Sequence, residues 1–199
     1  FIRTYSLPGE LASTDASEYG QIAVVSNDLT SAHLTLIGAD GNIQFTRTYS
    51  TFTDQGGIFP WSQTEFTDVA IIPGSGFVAV GAGDDPFPGP SQHLAVRMDT
   101  LGNVIWINQR GEVNWNESYH SLAVSNPQSF LVMGRDASPN SSRPFIDRMY
   151  NLDGSMDLGR TFGIIDYYTG RSIAAGEDGS TYLGGYHSGN GFIYRMDPM

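Results

Sequence analysis

Short alternating apolar runs recur along the chain, each bounded by Gly, Asp, Asn, Ser or Pro. A bulky apolar residue precedes Ala at Leu11-Ala12, Val69-Ala70, Leu122-Ala123 and Ile173-Ala174. The intervals are roughly 50–60 residues, a period that marks a repeat architecture. A second run follows each time, at Gln21-Ile22-Ala23-Val24-Val25, Phe77-Val78-Ala79-Val80-Gly81, Phe130-Leu131-Val132-Met133-Gly134 and Thr181-Tyr182-Leu183-Gly184-Gly185. After a variable polar loop comes a third run, at 33–36, 93–98, 145–149 and 192–196. In three copies a turn at Gly41, Gly102 or Gly154 leads to a fourth run, with a bulky residue at Phe45, Trp106 or Leu158. These runs are too short and too often broken by Gly for helices. Asp40-Gly41, Asp153-Gly154 and Asp178-Gly179 supply the positive φ that tight hairpins need.

The unit is therefore four antiparallel strands, repeated four times. This predicts an all-β fold, a four-bladed β-propeller of four-stranded antiparallel blades in one domain over 1–199. Strands are expected near 10–14, 20–26, 32–37 and 42–49 in the first copy. The blades are expected at about 10–50, 66–111, 119–163 and 170–199, the last completed by residues 1–6. That completion follows from a match: Phe1-Ile2-Arg3-Thr4-Tyr5-Ser6 differs from Phe45-Thr46-Arg47-Thr48-Tyr49-Ser50 only at Ile2. Phe1, Arg3 and Tyr5 share one face of the strand, which either closes the last blade within the chain or is donated to a neighbouring copy.

The segment Arg97-Met98-Asp99…Gly102-Asn103…Trp106, echoed at Arg195-Met196-Asp197 and Arg148-Met149, resembles the repeat of secreted and cell-surface bacterial β-propeller proteins. The first copy departs from it, with Leu36-Ile37-Gly38, and the third has Tyr150 in place of Asp. The resemblance implies a secreted or surface location and a structural or ligand-binding role; it transfers no catalytic residue.

Composition narrows the chemistry. Acidic residues number 21 against 10 basic ones, a net charge of −11, which opposes nucleic acid and anionic membrane as partners. All ten basic residues are Arg, so Schiff-base lysine chemistry and a P-loop are excluded. The chain lacks Cys, which removes thiol catalysis and zinc–thiolate sites. No apolar run is long enough for membrane insertion as a helix. The sequence opens at Phe1, so a processed or excised polypeptide is expected.

Among the histidines, His33 and His93 read as equivalent positions with a shared structural role, while His120 and His187 are isolated. Zinc spacing is absent, and neither metal nor cofactor is expected. Gly170-Arg171-Ser172 is a near miss to a nucleophile elbow that lacks its helix. Candidate carboxylates are Asp84-Asp85, Asp136, Asp147, Asp157 and Asp166; Asp178-Gly179 reads as a plain hairpin turn. Trp61, Trp115, Tyr167 and Tyr168 precede new first strands and form a candidate ligand-binding face, for sugar rings or a protein partner. Asn116 and Asn140 open glycosylation sequons. Two classes stay open. The expected one is a non-enzymatic extracellular module, structural, adhesive or filament-forming, whose partners are other subunits, copies of itself or glycans. The alternative is a glycan-active enzyme with its carboxylates on one face of the propeller.

Overall fold

The computed structural model describes residues 3–50, 63–84, 91–110, 117–126, 128–138, 141–161, 168–187 and 190–198. Fifteen strands make up the regular structure of these residues, in four antiparallel sheets. The first sheet is β1 (Glu10–Ala16), β2 (Ile22–Asn27), β3 (Ala32–Ile37) and β4 (Ile43–Tyr49), in chain order. The second is β5 (Gln63–Ile72), β6 (Gly76–Asp84), β7 (Ser91–Met98) and β8 (Val104–Arg110). The third is β9 (Ser118–Asn126), β10 (Ser129–Ser138), β11 (Ser141–Tyr150) and β12 (Met156–Thr161). The fourth has three strands, β13 (Tyr168–Ala175), β14 (Thr181–His187) and β15 (Asn190–Met196).

The sheets follow one another as blades. The first strand of each lies against the first strand of the next, β1 on β5, β5 on β9 and β9 on β13. Side chains of these inner strands reach across to the next blade's backbone: Asp15 accepts from Ile71 N–H at 2.7 Å, Asp68 from Leu122 N–H at 2.9 Å, and Ser121 from Ile173 N–H at 3.3 Å. The core is divided accordingly. One buried cluster fills the junction of the first two sheets, around Leu34, Phe66 and Met98; a second fills the next, around Val80, Phe130 and Met149; a smaller third joins Leu131 and Ile146 to Ile173 and Leu183. Apolar burial of this kind, at about 1.5–3 kcal/mol per large side chain, is what holds the blades together.

Outer strands add a second attachment by gripping the turn of the following blade. Tyr49 donates its hydroxyl hydrogen to Gly102 O at 2.7 Å and Arg47 Nε donates to Leu101 O at 3.1 Å. Trp106 Nε1 donates to Asn151 O at 3.0 Å, and Asn108 donates to Gly154 O at 2.8 Å. Gly102 has φ +76°, and a Cβ there would lie 2.8 Å from Arg47 Cγ. Gly102→Ala is therefore expected to cost about 1–2 kcal/mol from backbone conformation alone, read as a lower midpoint in urea unfolding.

Two sequence expectations need correction. Residues 3–6 carry no strand and do not belong to the last sheet, which has three strands; they lie on the first sheet, where Tyr5 donates to Gly41 O at 2.9 Å and Arg3 bonds the same carbonyl. Among the described residues the packing between sheets runs from the first through the second and third to the fourth, with none of comparable extent between the fourth and the first. Second, His33 and His93 are not equivalent. His33 pairs with Ser26 and Thr48 across β2 and β4, so its register partner in the second blade is Leu94. A slip of one residue puts a side chain on the opposite face. His33 accordingly faces away from the second sheet, held by Asp28 and Thr48 at 3.1 Å each.

Candidate functional site

His93 instead faces the third sheet and sits in a buried ionisable cluster. The strand ends farthest from the Gly102 and Gly154 turns bring five side chains together: His93 from the start of β7, Arg110 from the end of β8, Glu117 just before β9, Tyr119 on β9 and Asp147 in mid β11. Arg110 Nη1 donates to both oxygens of Asp147, at 3.0 and 2.8 Å. Tyr119 donates its hydroxyl to Asp147 Oδ2 at 3.2 Å. Glu117 Oε2 lies 3.4 Å from His93 Nδ1, which also approaches Arg110 O at 3.2 Å. The imidazole packs against the rings of Tyr119 and Phe145, both at 4.7 Å between centroids, and the Arg110 guanidinium lies over Phe145 at 5.7 Å.

Burial sets the protonation states. The Asp147 side chain is 1% exposed; its loss of water raises the carboxyl above the usual value, against the opposing pull of Arg110 and Tyr119. Burial lowers His93 to about 3, so its ring is neutral at pH 7, with Arg135 and Arg110 backbone groups pulling the other way. Arg110 is 47% exposed and forms the solvent side of the cluster. Nearby His120 is also pushed down by burial.

The repeat shows how unusual this junction is. Gly81 pairs with Phe66 and Leu94 in the second blade, and Gly134 pairs with Tyr119 and Phe145 in the third, which fixes Phe66 and Tyr119 as equivalents. By the same register Val96 corresponds to Asp147, Tyr49 to Arg110 and Ala32 to His93. Tyr49, Phe66, Val96 and Ala32 all belong to the apolar cluster between the first and second blades. At the next junction the same positions hold a guanidinium, a phenol, a carboxylate and an imidazole.

Of the residues singled out in the sequence, the fold places His93 and Asp147 in this centre, His93 in a role the sequence reading had given as structural. Tyr168 opens β13. Trp61, Trp115, Tyr167, Asn116, Asn140, Asp85, Asp166 and Phe1 lie outside the described residues. Asp84, Asp136 and Asp157 fall on β6, β10 and β12. Asp178 lies in the β13–β14 hairpin turn, where it accepts from Ser180 and Arg195 and is lowered to about 2. Sequence reading passed over Arg110, Glu117 and Tyr119; the usable signal was polar residues at repeat positions that are apolar one blade earlier. At the turn end of the blades, away from the cluster, clefts of about 600 and 330 Å³ open between the second and third and the third and fourth sheets, beside Arg97 and Arg148 respectively. Among the described residues no group of three or more His, Asp or Glu side chains is placed to hold a metal ion, and no helix is long and apolar enough to cross a membrane.

Four antiparallel sheets in sequence, packed through their first strands, with a polar centre between two of them, define a protein of the β-propeller class. No family model and no curated protein sequence matches the chain. Among solved structures, it is similar to selenomethionine-substituted virginiamycin B lyase from Staphylococcus aureus, with a TM-score of 0.41 and 10% identity, over 94% of this chain and 70% of that one. The likeness is one of fold. That structure is by its name a lyase, an enzyme, and the expectation of a non-enzymatic structural, adhesive or filament-forming module is corrected and not carried further.

Proposed function

We propose that the protein is an acid–base enzyme whose centre is the cluster of His93, Arg110, Glu117, Tyr119 and Asp147. The observation that carries this reading is the exchange of apolar for ionisable groups at equivalent positions of successive junctions. Stability does not account for it. Desolvating a carboxylate and a guanidinium costs several kcal/mol per ion, and well-packed apolar residues of similar volume serve a core as well or better. Titratable groups shifted by burial and held against specific partners are what acid–base chemistry requires.

Each group has a role its geometry suits. Asp147 is the general acid, since burial makes it keep its proton to higher pH than an ordinary carboxyl. Tyr119 positions that carboxyl through its hydroxyl. Glu117, beside the neutral His93 ring, supplies the base. Arg110, half exposed, is the group a substrate's carbonyl, carboxylate or hydroxyl oxygen would meet first. The substrate class that fits is a small polar molecule undergoing hydrolysis or elimination with proton transfer. We also propose a secreted or surface location, which the resemblance of the Arg97-Met98-Asp99 repeat supports; detection of the protein in intact-cell or culture-medium fractions tests it.

Activity is tested by screening hydrolase and lyase substrates with the wild type and with Asp147→Asn, a near-isosteric change. Turnover by the wild type, lowered about 100-fold or more in the variant at unchanged circular dichroism, is the expected result. Turnover that Asp147→Asn leaves intact would overturn the assignment.

A further inference from the structure

The first strands of the four blades share an irregularity at one repeat position. Each carries an extra residue there, opposite its partner strand: Ala12, Thr67, His120 and Arg171. Such a bulge re-aims a side chain and recurs beside functional sites. We propose that the junction of the third and fourth blades holds an anion site, in which Arg135 and Arg171, with His120 and Ser118, bind a tetrahedral oxyanion, phosphate or sulfate, carried by a small molecule. The site goes beyond the acid–base reading of the cluster and does not depend on it.

Register identifies the equivalents. Leu11, Phe66, Tyr119 and Gly170 stand just before the extra residue, opposite Ser26, Gly81, Gly134 and Gly185. One step further, Arg135 pairs with Ser118 as Ala82 pairs with Glu65 and Asn27 with Glu10. The position of Ser118 is therefore a glutamate in both earlier blades, and that of Arg135 is Asn or Ala. In those blades the polar groups among these equivalents tie backbone together. Asn27 Nδ2 donates to Phe66 O and Asn27 Oδ1 accepts from Phe66 N–H, both at 2.8 Å, while Thr67 donates its hydroxyl to Tyr119 O at 2.7 Å. Between the third and fourth blades a hydroxyl replaces the glutamate, and guanidinium and imidazole groups replace the neutral residues. The local charge changes sign, in a chain whose net charge is −11.

The fold brings these groups together. Arg135 shares a face of β10 with Leu131 and Met133, which pack toward Ile173 and Leu183 of the fourth blade. Gly170, just before Arg171, lets β13 approach that face closely: a Cβ there would lie 2.6 Å from Met133 Sδ. Ser118 Oγ lies 3.5 Å from His120 Nε2. The imidazole of His120 is held below its ordinary value by burial first, then by the charges of Arg171 and Arg135. Both arginines are exposed. The Arg171 guanidinium rests on Tyr186, 5.6 Å from the ring centroid and with Nη2 3.4 Å from the hydroxyl, and among the described residues no carboxylate pairs with it. Two guanidinium forks, an imidazole N–H and a hydroxyl suit a tetrahedral group with several acceptor oxygens better than a planar carboxylate.

The test is a titration of the isotopically labelled protein with inorganic phosphate, and separately with sulfate and acetate, followed by NMR of the His120 ring. Sodium chloride holds the ionic strength constant. Saturable binding of phosphate and sulfate that moves the ring signals is expected, with acetate weaker by about tenfold. Arg171→Gln and Arg135→Gln should each weaken phosphate by about tenfold or more, since each removes charge-assisted hydrogen bonds. Arg195→Gln, at an exposed arginine paired with Asp178 near the β13–β14 turn, should change it by less than about twofold. Binding that fails to saturate, that leaves the His120 signals unmoved, that is as strong for acetate, or that Arg195→Gln weakens as much as the other two variants would each overturn the site.

Discussion

Replacing Arg110 by Tyr, Tyr119 by Phe and Asp147 by Val together should stabilise the protein by about 1–4 kcal/mol while abolishing turnover. The three changes give three positions of the junction of the second and third blades the residues found at the equivalent positions between the first and second, with His93 and Glu117 left in place. Two partly or fully desolvated charges and a phenol are exchanged for packing already proven one blade earlier. Breaking the pair has the opposite sign. Arg110→Ala leaves Asp147 buried without its cation and should cost about 3 kcal/mol, at the low end for such pairs because Arg110 is half exposed and Asp147 can take up a proton. Urea unfolding of the three proteins separates the cases: a triple variant less stable than the wild type would show that the charged cluster is there for stability.

Acid should destabilise the fold through His93. In the folded chain burial holds the imidazole at about 3, against 6.5 when unfolded. A group depressed on folding contributes stability that is complete above its unfolded value and is lost as pH falls through the window down to its folded value. Between pH 7 and pH 4.5 the loss from this one residue is about 2–3 kcal/mol, and His93→Leu should remove most of it. Asp147 has the opposite sign: raised on folding, its contribution is complete below the ordinary carboxyl value and declines as pH rises through the raised one. Asp28 and Asp178 are lowered to about 2 and lose their contributions only in much stronger acid, so they do not obscure the window. Equal acid sensitivity of His93→Leu and wild type in urea titrations at the two pH values would refute the assignment.

The strands were legible because alternation and Asp-Gly turns act locally: β3 and β4 of the first blade fall where the apolar pattern puts them. The N-terminal match was half legible. Identity between Arg3-Thr4-Tyr5-Ser6 and Arg47-Thr48-Tyr49-Ser50 reported the contact with the following turn, because that contact depends on the strand's own side chains. Which sheet pairs with the strand's edge depends on backbone groups of another segment, and no side-chain pattern in residues 1–6 encodes it. The cluster was largely hidden for a different reason. Arg110, Glu117, Tyr119 and Asp147 come from β8, β9 and its approach, and β11, and only register brings them together. Comparing copies by residue type placed His33 over His93, one position off, and that slip concealed the contrast between Val96 and Asp147 on which the site rests.

The state of the Asp147 carboxyl tests the central claim most directly. Carbon-detected NMR titration of carboxyl-labelled protein should show Asp147 titrating above the ordinary 3.8, and higher still in Tyr119→Phe, which loses a hydrogen bond that favours the charged form. Titration at or below 3.8, unmoved by Tyr119→Phe, would show an ordinary salt bridge to Arg110 and contradict the role of Asp147 as a general acid.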